Sequence, residues 1–267
     1  FFCLGAFSFA QDLPKQRRVN ICAPLHSYDM NPHTAAFTAE AQLFTGLYEG
    51  LFSYDPVNLA PLPAICSSYK ISRDKKRWTF SLRNDAKFSD GTLITANDVR
   101  NSWISLLETP NAPFASLLDC IEGASDFRQG KISAQDVRID ARDDFTVVVH
   151  LTEPAGHLPK ILCHHAFSVV SENKNAFSGA FVLEFYDGNE ILIKKNEFYW
   201  DSENVKIPEI KISSEELKNE LLEPFKKLLP LSSSVLMSHA RVTVEDDFSY
   251  CDSSIPACLS EFWVTKV

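Results

Sequence analysis

The sequence predicts an α/β fold, and three observations predict it. Short runs carry apolar side chains at every second position, as in Trp78-Thr79-Phe80-Ser81-Leu82, the period of a half-buried strand. Segments with an apolar helical stripe lie among them; after Thr95, residues Val99, Trp103, Leu106 and Leu107 fall on one helical face. Apolar residues make up 45% of 267, enough for a packed core and too many for global disorder.

The elements follow in order. Phe1 to Ala10 is an apolar run that ends in Ser8-Phe9-Ala10 and turns polar at Gln11. Small residues at those two positions are what a signal peptidase reads, so residues 1–10 are expected to be the remnant of an export signal; the competing reading is a buried first strand. Cys3 lacks the preceding small-residue pattern of a lipoprotein site. Gln11 to Arg18 is a polar leader, and Val19 to Ala23 a short first strand. Pro24 to His33 has turn formers and no period, hence a loop. Thr38 to Tyr54 reads as a helix running into a strand, with Gly50 as the helix stop. Asp55 to Ala64, with Pro56, Pro61 and Pro63, is a connector. Lys70 to Leu82 is a hairpin about the charged turn Arg73 to Lys76.

Asp90-Gly91 marks a turn, because glycine accepts the positive φ that other residues resist. Thr95-Ala96-Asn97-Asp98 then opens a helix. The Thr95 hydroxyl is placed to cap the Asp98 amide, and the Asp98 carboxylate sits in the positive first turn. Pro110 to Gly130 is a loop and a helix. Val137 to Ile139 and Phe145 to Leu151 form a second hairpin about Ala141 to Asp144. Leu158 to Cys163 is a short helix, Ile210 to Ile212 a strand, and Glu215 to Leu229 an amphipathic helix. Ser232 to Val267 has little periodicity.

The net charge of -9, with both signs interleaved, lacks the basic footprint of a nucleic-acid binder. After the first ten residues no run is long and apolar enough to span a bilayer. Beyond Cys3 stand Cys22, Cys66, Cys120, Cys163, Cys251 and Cys258, at wide, irregular spacings that do not suggest a disulfide scaffold. Most read as small buried hydrophobes, with Cys251 and Cys258 the nearest to a pair.

Several segments together resemble the family 5 extracytoplasmic solute-binding proteins, the oligopeptide-, dipeptide- and nickel-binding components of ABC importers. Trp78 to Arg83, Lys87 to Gly91, Thr95, Ala96, Asp98, Val99, Ser102 and Trp103 keep the family's signature residues and spacing. Leu47-Tyr48-Glu49-Gly50-Leu51, Leu151-Thr152-Glu153-Pro154 and the stretch from Ile191 through Asn196 to Tyr199-Trp200 match further family patterns. Phe177 to Leu183 resembles a family strand, after a segment shorter than most members carry. Asn31-Pro32-His33 departs from the family's Leu-Asp-Pro-His at its first two residues. The resemblance runs from about Val19 to Ile212.

It implies a periplasmic-binding-protein fold of type II. Lobe one would combine residues 18–45 with 167–227, an inserted mixed α+β domain would occupy 46–166, and 228–267 would open a second lobe that is otherwise missing. It implies capture of a peptide or similar small solute, delivery to an ABC transporter permease, and an extracytoplasmic location. By the same resemblance, backbone groups of Ala36, Phe37 and Thr38 pair with an extended peptide, as in strand addition. The other reading of that stretch is an ordinary connecting loop. No cofactor is expected.

Catalytic constellations are weak. His157, Cys163, His164 and His165 crowd one segment, but adjacent histidines are expected to point apart, and no further ligand completes a metal spacing. No Gly-x-Ser-x-Gly elbow and no glycine-rich phosphate loop occur. Asp143-Asp144, Glu215-Glu216 and Asp246-Asp247 read as solvated surface. An enzyme is therefore not expected. Two rivals stand beside the binding protein: a shortened relative that no longer transports, and a metal-dependent hydrolase built around His157 to His165.

Overall fold

The computed structural model describes residues 18–23, 25 and 29–214, and the backbone of 241–244. The expected export signal, the helix over Glu215 to Leu229 and the Cys251–Cys258 pair lie outside the described residues.

Two sheets organise the chain. The first has the order β11-β1-β10-β9-β8, formed by β1 (Arg18–Cys22), β8 (Phe181–Tyr186), β9 (Glu190–Lys195), β10 (Glu209–Ser213) and β11 (Arg241–Val244). β1 runs parallel to β10, with Val19 opposite Ile210 and Ile21 opposite Ile212; the remaining pairings are antiparallel. Val19 is buried between Arg18 and Asn20, as alternation requires, and Ile21 and Cys22 are both buried at the strand's end. Helix α1 (Thr38–Leu47) adds Leu43, Phe44 and Leu47 to the same core.

The second sheet has the order β4-β5-β7-β6, from β4 (Cys66–Ile71), β5 (Arg77–Leu82), β7 (Thr146–His150) and β6 (Ile139–Asp143). Trp78, Phe80 and Leu82 all point inward from β5. Helix α2 (Ala96–Glu108) lies over β6 and β7 with Val99, Trp103, Leu106 and Leu107 buried. The Thr95 cap is present, and its stronger half is the return bond. The Asp98 carboxylate accepts the Thr95 N–H at 2.7 Å and its hydroxyl at 2.6 Å, whereas the Asp98 N–H reaches the Thr95 hydroxyl at 3.4 Å. Gly91 takes φ +86° in the turn before it. The Trp103 indole N–H donates to the Phe167 carbonyl at 3.0 Å, so this buried ring is also polar-satisfied.

The buried apolar residues form two clusters. One runs from Leu51 to Ala176 on the four-stranded sheet; the other gathers Val19 to Tyr48 and Phe177 to Ile212 on the five-stranded sheet, and Trp200 packs against both.

Several local expectations need correction. The proline-rich connector holds β3 (Pro61–Pro63), paired with β2 (Phe52–Tyr54) as a two-stranded ribbon, where missing amide donors cost little at an edge. The hairpin expected from Lys70 begins at Cys66, because β4 is an edge strand exposed from Ser67 onward and so lacks apolar alternation. Helix α1 stops at Leu47, three residues before Gly50. Gly50 serves close packing instead: a Cβ there would sit 2.9 Å from the Leu162 carbonyl oxygen. The strand expected from Phe177 starts at Phe181. Residues 177–180 are a crossover, and a Cβ on Gly179 would lie 2.5 Å from the Gly46 carbonyl oxygen. The region 110–130 holds a single turn of 3-10 helix (Ala115–Leu118) and the short α3 (Ala124–Arg128). Residues 241–244, within the weakly patterned tail, pair with β1.

Candidate functional site

Residues 29–37 form a loop that delivers the chain into α1, which opens at Thr38. The Asn31 side chain accepts the His33 N–H at 3.0 Å, and the Thr34 N–H donates to the Asn31 carbonyl at 3.2 Å. The Thr34 hydroxyl donates to Asp29 at 2.9 Å, and the Tyr48 hydroxyl donates to the Met30 carbonyl at 3.2 Å. The loop is therefore built by short polar side chains folding back on their own backbone, the usual chemistry of Asn, Asp and Thr in turns. It runs through Ala36 and Phe37 into Thr38, all exposed, with Phe37 at 61%. Phe37 has extended backbone (φ -100°, ψ 147°), the conformation an added strand needs.

Beneath the loop stands an aromatic and imidazole wall. Short helix α4 (Leu158–Ile161) leads into a 3-10 turn at His165–Phe167, which packs on α1 and α2. The His165 ring lies 6.2 Å from Phe44 of α1 and 6.0 Å from Phe114. The His164 ring lies 4.3 Å from Phe114 and 4.1 Å from His165. The expectation that these adjacent histidines point apart is thus wrong: the tight turn brings both rings together. Burial, then the neighbouring His164, lowers the His165 pKa to about 3; a hydrogen bond to the Ala35 backbone opposes this and His33 adds to it. Burial lowers His33 to about 4. Both rings are neutral at pH 7, and each keeps a buried Nε2 without a hydrogen-bond partner.

Burial pushes the Cys66 thiol up to about 11 and the Cys163 thiol up to about 12, so neither is a ready nucleophile. Cys66, Cys120 and Cys163 are free. Among the described residues no three His, Cys, Asp or Glu side chains are grouped to hold a metal ion.

A second feature joins the two cores. Glu49, buried between Tyr48 and Gly50, accepts the Tyr199 hydroxyl and the Trp200 indole N–H, each at 2.6 Å. Desolvation and the Glu49 charge hold the Tyr199 pKa well above its usual value. The Arg83 guanidinium covers the Trp200 ring at 3.6 Å, and its Nε–H donates to the Ala64 carbonyl at 2.6 Å. The Glu49 N–H donates to the Ser178 hydroxyl at 3.0 Å, which donates onward to the Val169 carbonyl at 2.5 Å. Beside this network lies a mostly apolar cavity of about 380 Å³, bordered by Phe52, Tyr54, Leu62, Phe181, Trp200 and Ile207.

Sequence reasoning placed the loop but missed its supports. Glu40 and Glu49 are both buried, and the hint was available only for Glu49, an acid set between Leu47-Tyr48 and Gly50-Leu51. Phe114 gave no signal, because its partners lie 50 residues away in sequence.

The described residues form an α/β scaffold that presents an extended segment ahead of α1. Residues 60–216 match the family of bacterial extracellular solute-binding proteins, family 5 Middle, and the chain belongs to that family. It is 34% identical over 198 residues to the periplasmic oligopeptide-binding protein OppA of Salmonella typhimurium, covering 68% of this chain and 36% of that one. It is 29% identical over 166 residues to the dipeptide-binding protein DppE of Bacillus subtilis, covering 57% and 31%. Among solved structures, Listeria monocytogenes OppA bound to peptide superposes with a TM-score of 0.69 at 27% identity, covering 78% of this chain and 45% of that one. Haemophilus influenzae OppA in complex with RPPGFSPFR gives 0.69 at 28%, covering 76% and 42%. The chain spans about a third of the length of the curated relatives it matches. No helix among the described residues is long and apolar enough to cross a membrane.

Proposed function

We propose that this chain serves a solute-binding protein of an ABC importer, capturing oligopeptides or similar small solutes outside the cytoplasm and passing them to a membrane permease. The observation that carries the reading is the likeness to peptide-bound relatives at a TM-score of 0.69 over more than three quarters of the chain. Export would proceed by the signal at residues 1–10. Residues 18–45 and 167–227 would act as lobe one and residues 46–166 as the inserted domain; the two separate apolar clusters support a division of this kind. Ala36, Phe37 and Thr38 would meet the ligand through their backbones. Capture would follow from closure around the ligand, driven by interactions that form only once the lobes have shut.

The described residues provide one wall of such a trap. A ligand desolvated on one side only gains part of the available affinity. The 267-residue chain by itself is therefore expected to bind peptides at around millimolar, on the order of 4 kcal/mol. Isothermal titration with a pool of tri- and tetrapeptides measures this directly. No heat of binding up to tens of millimolar peptide would defeat the reading for this chain, and micromolar affinity would show the site to be complete without a further lobe.

A further inference from the structure

Glu40 stands in the first turn of α1 and is only 6% exposed. Its Oε2 accepts the N–H of Ala36 at 2.9 Å and the N–H of Phe37 at 3.0 Å. No cationic side chain pairs with it among the described residues, so the two loop amides and the start of the helix are what compensate this buried carboxylate. The consequence runs both ways. The carboxylate depends on the loop's shape, and two of the three amides in the proposed binding stretch are already taken. Among the described residues, the Ala36 carbonyl and the Thr38 N–H are the groups flanking Phe37 that no hydrogen bond engages.

We infer that Glu40 is the positioning residue of the ligand loop: it turns the Ala36 and Phe37 amides inward and so limits pairing with a bound strand to the Ala36 carbonyl and the Thr38 N–H. This rests on the peptide-binding reading above. A helix-capping glutamate would satisfy one amide at the cap; here a single oxygen gathers two successive amides, one of them before the cap, and thereby fixes the loop as well as the helix. The loop enters binding already ordered, which removes part of the entropy that a flexible pairing segment loses on capture. Exposed Phe37 stands on the one loop residue with engaged groups on its inner side and available groups on either flank.

The test uses the full chain with two variants, Glu40→Ala and Glu40→Gln, and two readouts. Residue-resolved amide exchange in the free protein reports the clamp. Titration with tri-alanine and tetra-alanine reports binding. The Ala36 and Phe37 amides are expected to exchange slowly in the parent and at least about tenfold faster in Glu40→Ala, while the amides of Phe44 and Leu47 keep their protection. Peptide affinity should fall about tenfold in Glu40→Ala and recover in Glu40→Gln, whose carbonyl oxygen still accepts. Recovery by glutamine separates geometry from charge. Fast exchange at Ala36 and Phe37 in the parent overturns the inference, and so does unchanged affinity in Glu40→Ala. If the parent binds no peptide, the functional reading falls and this role falls with it. If the parent binds and the variants bind equally, only the role of Glu40 falls.

Discussion

At the scale of single residues, Trp103 and Glu49 carry the largest expected effects, for opposite reasons. Trp103 is fully buried and its indole N–H is bonded to the Phe167 carbonyl, so Trp103→Ala removes packing and strands an acceptor. A loss of roughly 3–5 kcal/mol is expected from urea unfolding; a change below about 1 kcal/mol would mean that the ring does not pack as described. Glu49→Ala leaves the Tyr199 hydroxyl and Trp200 N–H without their carboxylate in a buried place. Its cost is expected at about 3 kcal/mol. Glu49→Gln should recover part of that, because one oxygen remains to accept. Trp103 and Glu40 show where sequence reading succeeds and where it stops. Trp103 was legible, because helical spacing alone sets it on the stripe with Val99 and Leu107. The role of Glu40 was not, because a glutamate in a first helical turn looks the same whether its carboxylate meets water or folds back onto the preceding loop.

At the scale of elements, the crossover 177–180 and the histidine turn give separate tests. Gly179→Ala places a methyl group 2.5 Å from the Gly46 carbonyl oxygen, with Leu47 and Tyr48 backbone atoms at 2.6 and 2.7 Å. Backbone on every side has little freedom to yield, so a loss of several kcal/mol is expected, on the scale of an overpacked core. A thermal melt shifted by less than about 2 °C, roughly the scale of half a kcal/mol, would contradict that. Histidines 33 and 165 give a pH dependence. Their folded pKa values lie at about 4 and about 3, below the unfolded value near 6.5. Between those values the unfolded chain binds more protons than the folded one. The stability they contribute is complete above about pH 6.5 and is lost as pH falls toward about 3. Denaturant midpoints measured from about pH 7 to about pH 4 should fall steadily, and His33→Gln should flatten part of the decline. This turn was hidden in the sequence, since adjacent histidines converge only because a 3-10 turn follows α4. β4 was hidden for another reason: an edge strand that buries only Cys66 has no alternation to read. β5 and β7 were plain because each buries its apolar residues against the core.

At the scale of the whole molecule, two long-range connections decide the architecture. The Glu49, Tyr199 and Trp200 contacts span 150 and 151 residues, and β1 reaches β10 across 191 residues at the pair Arg18–Glu209. The core on the four-stranded sheet, by contrast, draws its residues from one continuous stretch, Leu51 to Ala176. Order of synthesis then matters. A chain emerging from its N-terminus can complete the four-stranded sheet while β1 is still unpaired on both sides, because β10 and β11 have yet to appear. Until residues 199 and 200 arrive, the Glu49 carboxylate has no hydroxyl or indole to receive it, and water is its better environment. Loop closure over such distances is slow compared with local pairing. The molecule therefore has a built-in timetable, in which β1 is made before its partners β10 and β11 and is among the last strands to be placed, and any chain halted just before Trp200 holds the finished four-stranded sheet, the β8–β9 hairpin and β1 still waiting.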